Sequence, residues 1–326
     1  MASNMIELAS QKAALLSQKK KKKYFTDFRQ HKTYYFMLAP MFVFFILFAY
    51  LPMPGLYLAF VNYDFMKGLA SPFVGFKNFE FLFHGGLDSI IWKLSFNTIA
   101  YNLVFILMGV VTQMTVAVVL KEITKRVFVK VSQTLMLAPH FVSMVIIGVI
   151  VYNLFNYRFG AVNNFLTSMG YEKFDFYQNP QVWPVIIVMV QVWKSLGYGA
   201  IVYMAAILGI DESIYEAAYI DGATNFKRIW HITVPLLKPT AILLMLLALG
   251  GILKGQFDLF YQIVGNNGLL LNATDIIDTY VYRSLAVDFN MGRGSAAGLY
   301  QSVFGFILVV AVNKLVNKFS PDNALF

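Results

Sequence analysis

Residues 34–60 run for 27 positions without one charged side chain. As a helix rising 1.5 Å per residue, such a run is about 40 Å long, more than the roughly 30 Å hydrocarbon core of a bilayer. Five more mostly apolar segments of about twenty residues or longer follow at 98–120, 131–155, 182–208, 240–264 and 294–313. Hydrocarbon offers no partner to an unpaired backbone N–H or C=O, so each segment must satisfy its own backbone as a helix. The expected fold is all-α, a polytopic membrane protein with six transmembrane helices. Composition agrees: 13% of the 326 residues are charged, against roughly 25% in a soluble domain.

The net charge of +9 is concentrated at one end, with eight of the 26 basic residues in the first 32 positions: Lys12, Lys19 to Lys23, Arg29 and Lys32. A lysine block directly ahead of an apolar run marks a cytoplasmic membrane flank rather than a nucleic-acid surface. The run that follows exceeds the ~7–15 apolar residues of a cleaved signal, so it is read as a span that is retained. The N-terminal tail, 121–130, 209–239 and the stretch 314–326 after the last span together hold 17 basic residues, against 7 in the loops 61–97, 156–181 and 265–293. The excess predicts that both termini are cytoplasmic. The organisation expected is a basic cytoplasmic tail at 1–33, a six-helix membrane domain at 34–319 and a cytoplasmic tail at 320–326.

Little in the chain suggests chemistry. It has no cysteine, and His31, His84, His140 and His231 are scattered, without an H-E-x-x-H pattern or clustered carboxylates. No catalytic residue and no metal ligand is assigned. A phosphate-cradling loop needs G-x-x-x-x-G-K-[ST], which does not occur, so ATP hydrolysis on this chain is not expected.

The segment 211–239, DESIYEAAYIDGATNFKRIWHITVPLLKP, is too polar to cross a membrane. Ile214, Ala217 and Ala218 fall at i, i+3 and i+4 on one helical face. Gly222 supplies a left-handed stop. Phe226, Ile229 and Trp230 begin a second apolar face, which Pro235 and Pro239 are expected to end before the fifth span. The prediction is a cytoplasmic knob of two short helices with Glu216, Asp221, Lys227 and Arg228 on its rim.

This segment closely resembles the EAA loop of the membrane subunits of binding-protein-dependent ABC importers, through Glu216-Ala217-Ala218, Asp221-Gly222-Ala223, Ile232 and Pro235. With LAPHFVSMVI at 137–146, QVWKSLGYGAIVYMAA at 191–206 and IIDTYVYR at 276–283, nearly all of 34–326 resembles the sugar and oligosaccharide branch, particularly the permeases of complex-carbohydrate importers. The stretch FYQIVGNNGLLLNATD at 260–275 departs from that branch and leaves the substrate open. The resemblance implies a permease subunit of an ATP-driven carbohydrate importer in a bacterial cell membrane. It implies a second, homologous permease subunit, two ATPase subunits or domains that bind the ATP and Mg, and an extracytoplasmic sugar-binding protein; no cofactor is expected on this chain. Glu216, Ala217, Ala218, Asp221, Gly222, Lys227 and Arg228 would form the contact with the ATPase.

Ionisable groups within spans are costly and tend to face a cavity or one another. Lys254 and Asp258 are four apart in the fifth predicted span: either a self-neutralising pair on one helix or, with Gln256 and Gln262, the lining of a water-filled path. Gly250, Gly251 and Gly255 thin the same helix for a bend or close packing. Lys194 either binds an acidic sugar or snorkels to a boundary. Trp193, Tyr198, Phe257, Phe260 and Tyr261 are either packing residues or aromatic platforms for sugar. A rival reading is an ion-coupled secondary transporter using Lys194, Lys254 and Asp258; an integral-membrane enzyme is disfavoured by the missing catalytic groups.

Overall fold

The computed structural model describes residues 31–84, 86 and 89–319; the lysine-rich stretch 1–30 and the tail 320–326 lie outside the described residues. Among these the protein is helical, with one isolated bridge between Val61 and Phe73 and no strand. Five helices are long and apolar enough to cross a bilayer, or six if one sharply bent pair is a single span. The all-α class expected from the sequence is what the chain adopts.

Two units divide at Tyr57 and Leu58. In the first, α1 (Lys32–Phe45) carries Pro40 inside it and continues into a widened turn, Ile46–Tyr50, where the Leu51 N–H donates to the Ile46 carbonyl five residues back at 2.8 Å. Pro52 and Pro54 lack the N–H that an α ladder needs. The span accordingly passes into a tighter helical stretch, Met53–Phe60.

In the second unit the organising element is α2 (Ile90–Glu122), 33 residues and about 50 Å long. It contributes to three buried clusters in turn. Leu94 packs with Leu82, Ile277 and Ala297; Tyr101 and Phe105 pack with Ile147, Trp183 and Phe260; Ala117 and Leu120 pack with Tyr203 and Leu237. The same three clusters draw in α3 (Arg126–Phe141), α4 (Met144–Phe155), α5 (Trp183–Leu208), α7 (the helical run Asn225–Leu249), α8 (Phe257–Val264), α9 (Ile277–Ala286) and α10 (Met291–Phe319), while α6 (Glu212–Ile220) stands between α5 and α7.

Three sequence expectations need correction. The third predicted span, 131–155, is the pair α3 and α4, bent by 98°. Pro139 sits in the last turn of α3, Val142 is extended, and the Ser143 hydroxyl caps the Ile146 N–H at 3.4 Å, so one helix ends and another starts inside an apolar run. The fifth predicted span, 240–264, stops at Leu249 and resumes at Phe257 as α8. Lys254 therefore lies in the break, and Lys254 and Asp258 are not a pair on one helix. Finally, Pro235 and Pro239 do not end the second knob helix: α7 is continuous from Asn225 to Leu249. The widened turn Ile229–Thr233, where the Val234 N–H reaches the Ile229 carbonyl, passes the chain from the knob into the span just ahead of Pro235.

Candidate functional site

The knob is built by α6 and the first turns of α7. Asp211 caps α6, its carboxylate accepting the Ser213 N–H at 3.0 Å, and that bond holds its pKa below the usual carboxylate value. At the other end Gly222 has φ +74°, the Gly222 N–H donates to the Tyr219 carbonyl at 3.0 Å and the Ala223 N–H donates to the Ala218 carbonyl at 2.9 Å. This double closure is a Schellman motif, which needs a left-handed residue at that position. Thr224 then starts the second helix, its hydroxyl accepting the Lys227 N–H at 3.4 Å.

Glu216, Ala217, Asp221, Gly222 and Lys227 are exposed, while Ala218 and Arg228 are half-buried. Of the i, i+3, i+4 set, Ile214 and Ala217 are exposed and Ala218 is half-buried, and other apolar side chains of the knob are exposed too. Tyr219 is 72%, Ile220 82% and Phe226 68% exposed. Exposed apolar side chains rimmed by charge are a general feature of interaction surfaces. The knob is tied to the spans by the Tyr215 hydroxyl, 3.0 Å from Thr233 Oγ1, with Lys121 Nζ of α2 5.4 Å from the Tyr215 ring centre. Sequence reasoning did not single out Tyr215, although its place one residue before Glu216 was visible.

The proposed path residues fall into separate environments. Lys194 Nζ donates to the carbonyls of Val142 at 2.6 Å, His140 at 3.2 Å and Pro139 at 3.3 Å, so it caps the end of α3 at the bend. Tyr198 stacks on His140, with ring centres 4.9 Å apart. Trp193 faces a cavity of about 280 Å³ shared with Ile147, Val151 and Ile186. On α8, Phe257 and Tyr261 stack at 5.1 Å, and each meets Tyr282 of α9 at 4.8 Å. Tyr282 is the member of this aromatic triad that the sequence reading missed; it lies in the IIDTYVYR stretch that was already noted for its resemblance.

Lys254 and Asp258 are both exposed, and among the described residues they form no ion pair with each other. Asp258 occupies the first turn of α8, where a carboxylate is favoured by the helix dipole. The break before it is held from outside: the Asp278 carboxylate accepts the Gly255 N–H at 2.7 Å and a Gln301 side-chain N–H at 3.0 Å, and Gln301 also donates to the Leu253 carbonyl at 2.6 Å. A Cβ on Gly255 would lie 2.2 Å from Asp278 Oδ2, so a larger residue there would displace the Asp278 side chain from its hydrogen bond. Burial raises the Asp278 pKa, partly offset by those hydrogen bonds. The buried ion pair among the described residues joins Arg283 to Asp275 at 2.6 Å. No three His, Asp or Glu side chains among them gather as a metal centre would require.

Spans that break and resume, with a helical knob set between two of them, make this an all-α polytopic membrane protein. The chain belongs to the family described as binding-protein-dependent transport system inner membrane component, which it matches over residues 105–320. Family membership makes it a membrane-embedded permease subunit, not an enzyme, and sets aside the ion-coupled rival. It is 33% identical to Protein LplB of Bacillus subtilis (strain 168) over 90% of this chain and 91% of that one. It is 32% identical to the polygalacturonan/rhamnogalacturonan transport system permease protein YteP of the same organism over 95% of each. Its structure resembles a subunit of a bacterial ABC transporter involved in the import of the acidic polysaccharide alginate, with a TM-score of 0.80 and 29% identity, covering 91% of this chain and 99% of that one. A second structure of a bacterial alginate ABC transporter, in complex with alginate pentasaccharide-bound periplasmic protein, matches with a TM-score of 0.78.

Proposed function

We propose that this chain forms half of the translocation path of an ATP-driven importer for oligo- or polysaccharide and couples to a separate ATPase through 211–239. The reading rests on the knob: a helix closed by Gly222, leaving Tyr219, Ile220 and Phe226 exposed beside Glu216. In it both termini are cytoplasmic, a second permease subunit supplies the other half of the path, two ATPase subunits or domains bind ATP and Mg, and an extracytoplasmic binding protein delivers the sugar. ATP-driven closure of the ATPases moves the knob, and the spans open the path alternately to either side. An acidic carbohydrate is the favoured substrate class, because YteP and the alginate transporter are both named for uronic-acid polymers.

The test is Glu216→Lys in the assembled transporter. Substrate-stimulated ATP hydrolysis and uptake should be lost while the permease remains in the membrane and the binding protein still docks. Normal coupling in this variant would remove the knob from the mechanism. Stimulation by a neutral oligosaccharide but not by a galacturonide would instead correct the substrate class alone.

A further inference from the structure

Two cavities of about 700 Å³ each adjoin at the start of α10 and share Glu80 and His84. The first is an open groove walled by Phe76, Phe79 and Phe83 on one side and by Val303 and Phe304 of α10 on the other. The second is polar, with Lys77, Arg293, Asn62 and Asn290 on its wall. The Arg293 guanidinium lies over the Phe81 ring, 5.5 Å from its centre, and the Arg293 backbone N–H donates to Asn290 Oδ1 at 3.0 Å. That arrangement anchors the residue at the cavity while its guanidinium makes no ion pair among the described residues.

We propose that the two cavities together bind one phospholipid with an anionic headgroup, an acyl chain in the aromatic groove and the phosphate against Lys77 and Arg293. The apolar arm lies along a membrane-crossing helix, where hydrocarbon is at hand and a sugar or a charged peptide gains nothing from the phenylalanine wall. Among the described residues of its wall, the two cations Lys77 and Arg293 stand against the single carboxylate of Glu80, a net attraction for an anion. Size is consistent with an organic ligand in each arm.

The complete transporter is placed in nanodiscs containing phosphatidylglycerol with a diazirine near the end of one acyl chain, and cross-links are mapped by mass spectrometry. Label is expected on 76–83 and 299–304. Lys77→Gln and Arg293→Gln should each lower it about fivefold, as expected from one surface cation acting on an anionic lipid, whereas Lys77→Arg and Arg293→Lys should retain it. Glu80→Gln should raise the label. Equal labelling by the phosphatidylcholine analogue, or label unchanged in both glutamine variants, would overturn the proposal. So would cross-linking of Phe76 or Phe304 to another subunit in place of lipid. Matching melting temperatures of wild type and variants separate lost binding from lost folding.

Discussion

Replacing Lys194 with methionine keeps the length and apolar stem of the side chain but removes the ammonium that closes the end of α3. Three carbonyls lose their donor, of which the Val142 bond at 2.6 Å is short and the other two, at 3.2 and 3.3 Å, are weak. A hydrogen bond to a charged group contributes roughly 1.5–3 kcal/mol, and a cation at a helix C-terminus adds about 0.3–1 kcal/mol. Counting the short bond fully and the long ones slightly gives about 3 kcal/mol. At about 2 °C per kcal/mol for a chain of this size, Lys194→Met should lower the melting temperature of the purified transporter by about 6 °C, and Lys194→Arg should recover most of the loss. Uptake per assembled complex should fall in step with stability. If melting is unchanged while the substrate concentration needed for half-maximal uptake rises, the ammonium faces substrate and the capping argument is refuted.

Gly222→Ala should cost about 1 kcal/mol through its left-handed φ alone, because no atom lies within 4 Å of the added Cβ; Gly222→Asn should cost less than Gly222→Val, as read by ATP hydrolysis stimulated by loaded binding protein. Asp278 has a pKa raised by burial, so its contribution to stability is complete below the ordinary carboxylate range and is lost as pH rises through the raised value. Melting curves across that window should decline for wild type and stay flatter for Asp278→Asn, while Asp278→Leu, which strands the Gly255 N–H, should be destabilised at every pH. Lys254→Met and Asp258→Leu should each leave assembly intact on size-exclusion chromatography, since neither exposed side chain neutralises the other; loss of assembly in both would restore the paired reading.

The spans were legible because hydrocarbon tolerates so few sequences, and the knob because Gly222 divides two short stretches that each carry an apolar face. The breaks were much less so. Val142 and Ser143 interrupt a run that remains apolar on either side, and only Pro139 followed by a capping serine marks the bend. At 250–256 the three glycines signalled weakness in the helix, yet not which groups would satisfy the exposed backbone. Those groups come from far along the chain: Lys194 lies 52 residues from Val142, and Gln301 48 from Leu253. Hydropathy has no access to such pairings. A shorter separation, 21 residues, is enough to hide Tyr282 from Tyr261, although each residue is conspicuous on its own.

A membrane protein can interrupt a helix only where another part of the protein completes the freed backbone, and the two interruptions here use a donor at one end and an acceptor at the other. At the bend, carbonyls at the C-terminus of α3 are met by the cation of Lys194. In the fifth span, the Gly255 N–H ahead of α8 is met by the side-chain oxygen of Asp278, with Gln301 bridging that group to the Leu253 carbonyl. Each choice follows the polarity of the backbone group it serves. A charge inside an apolar segment therefore has a third role besides pairing with another charge or facing a substrate: it stands in for the missing turn of helix. The halves that follow the breaks, α4 and α8, pack on each other through Ile147, Val151, Leu259 and Ile263, so the two caps hold the ends of one buried contact.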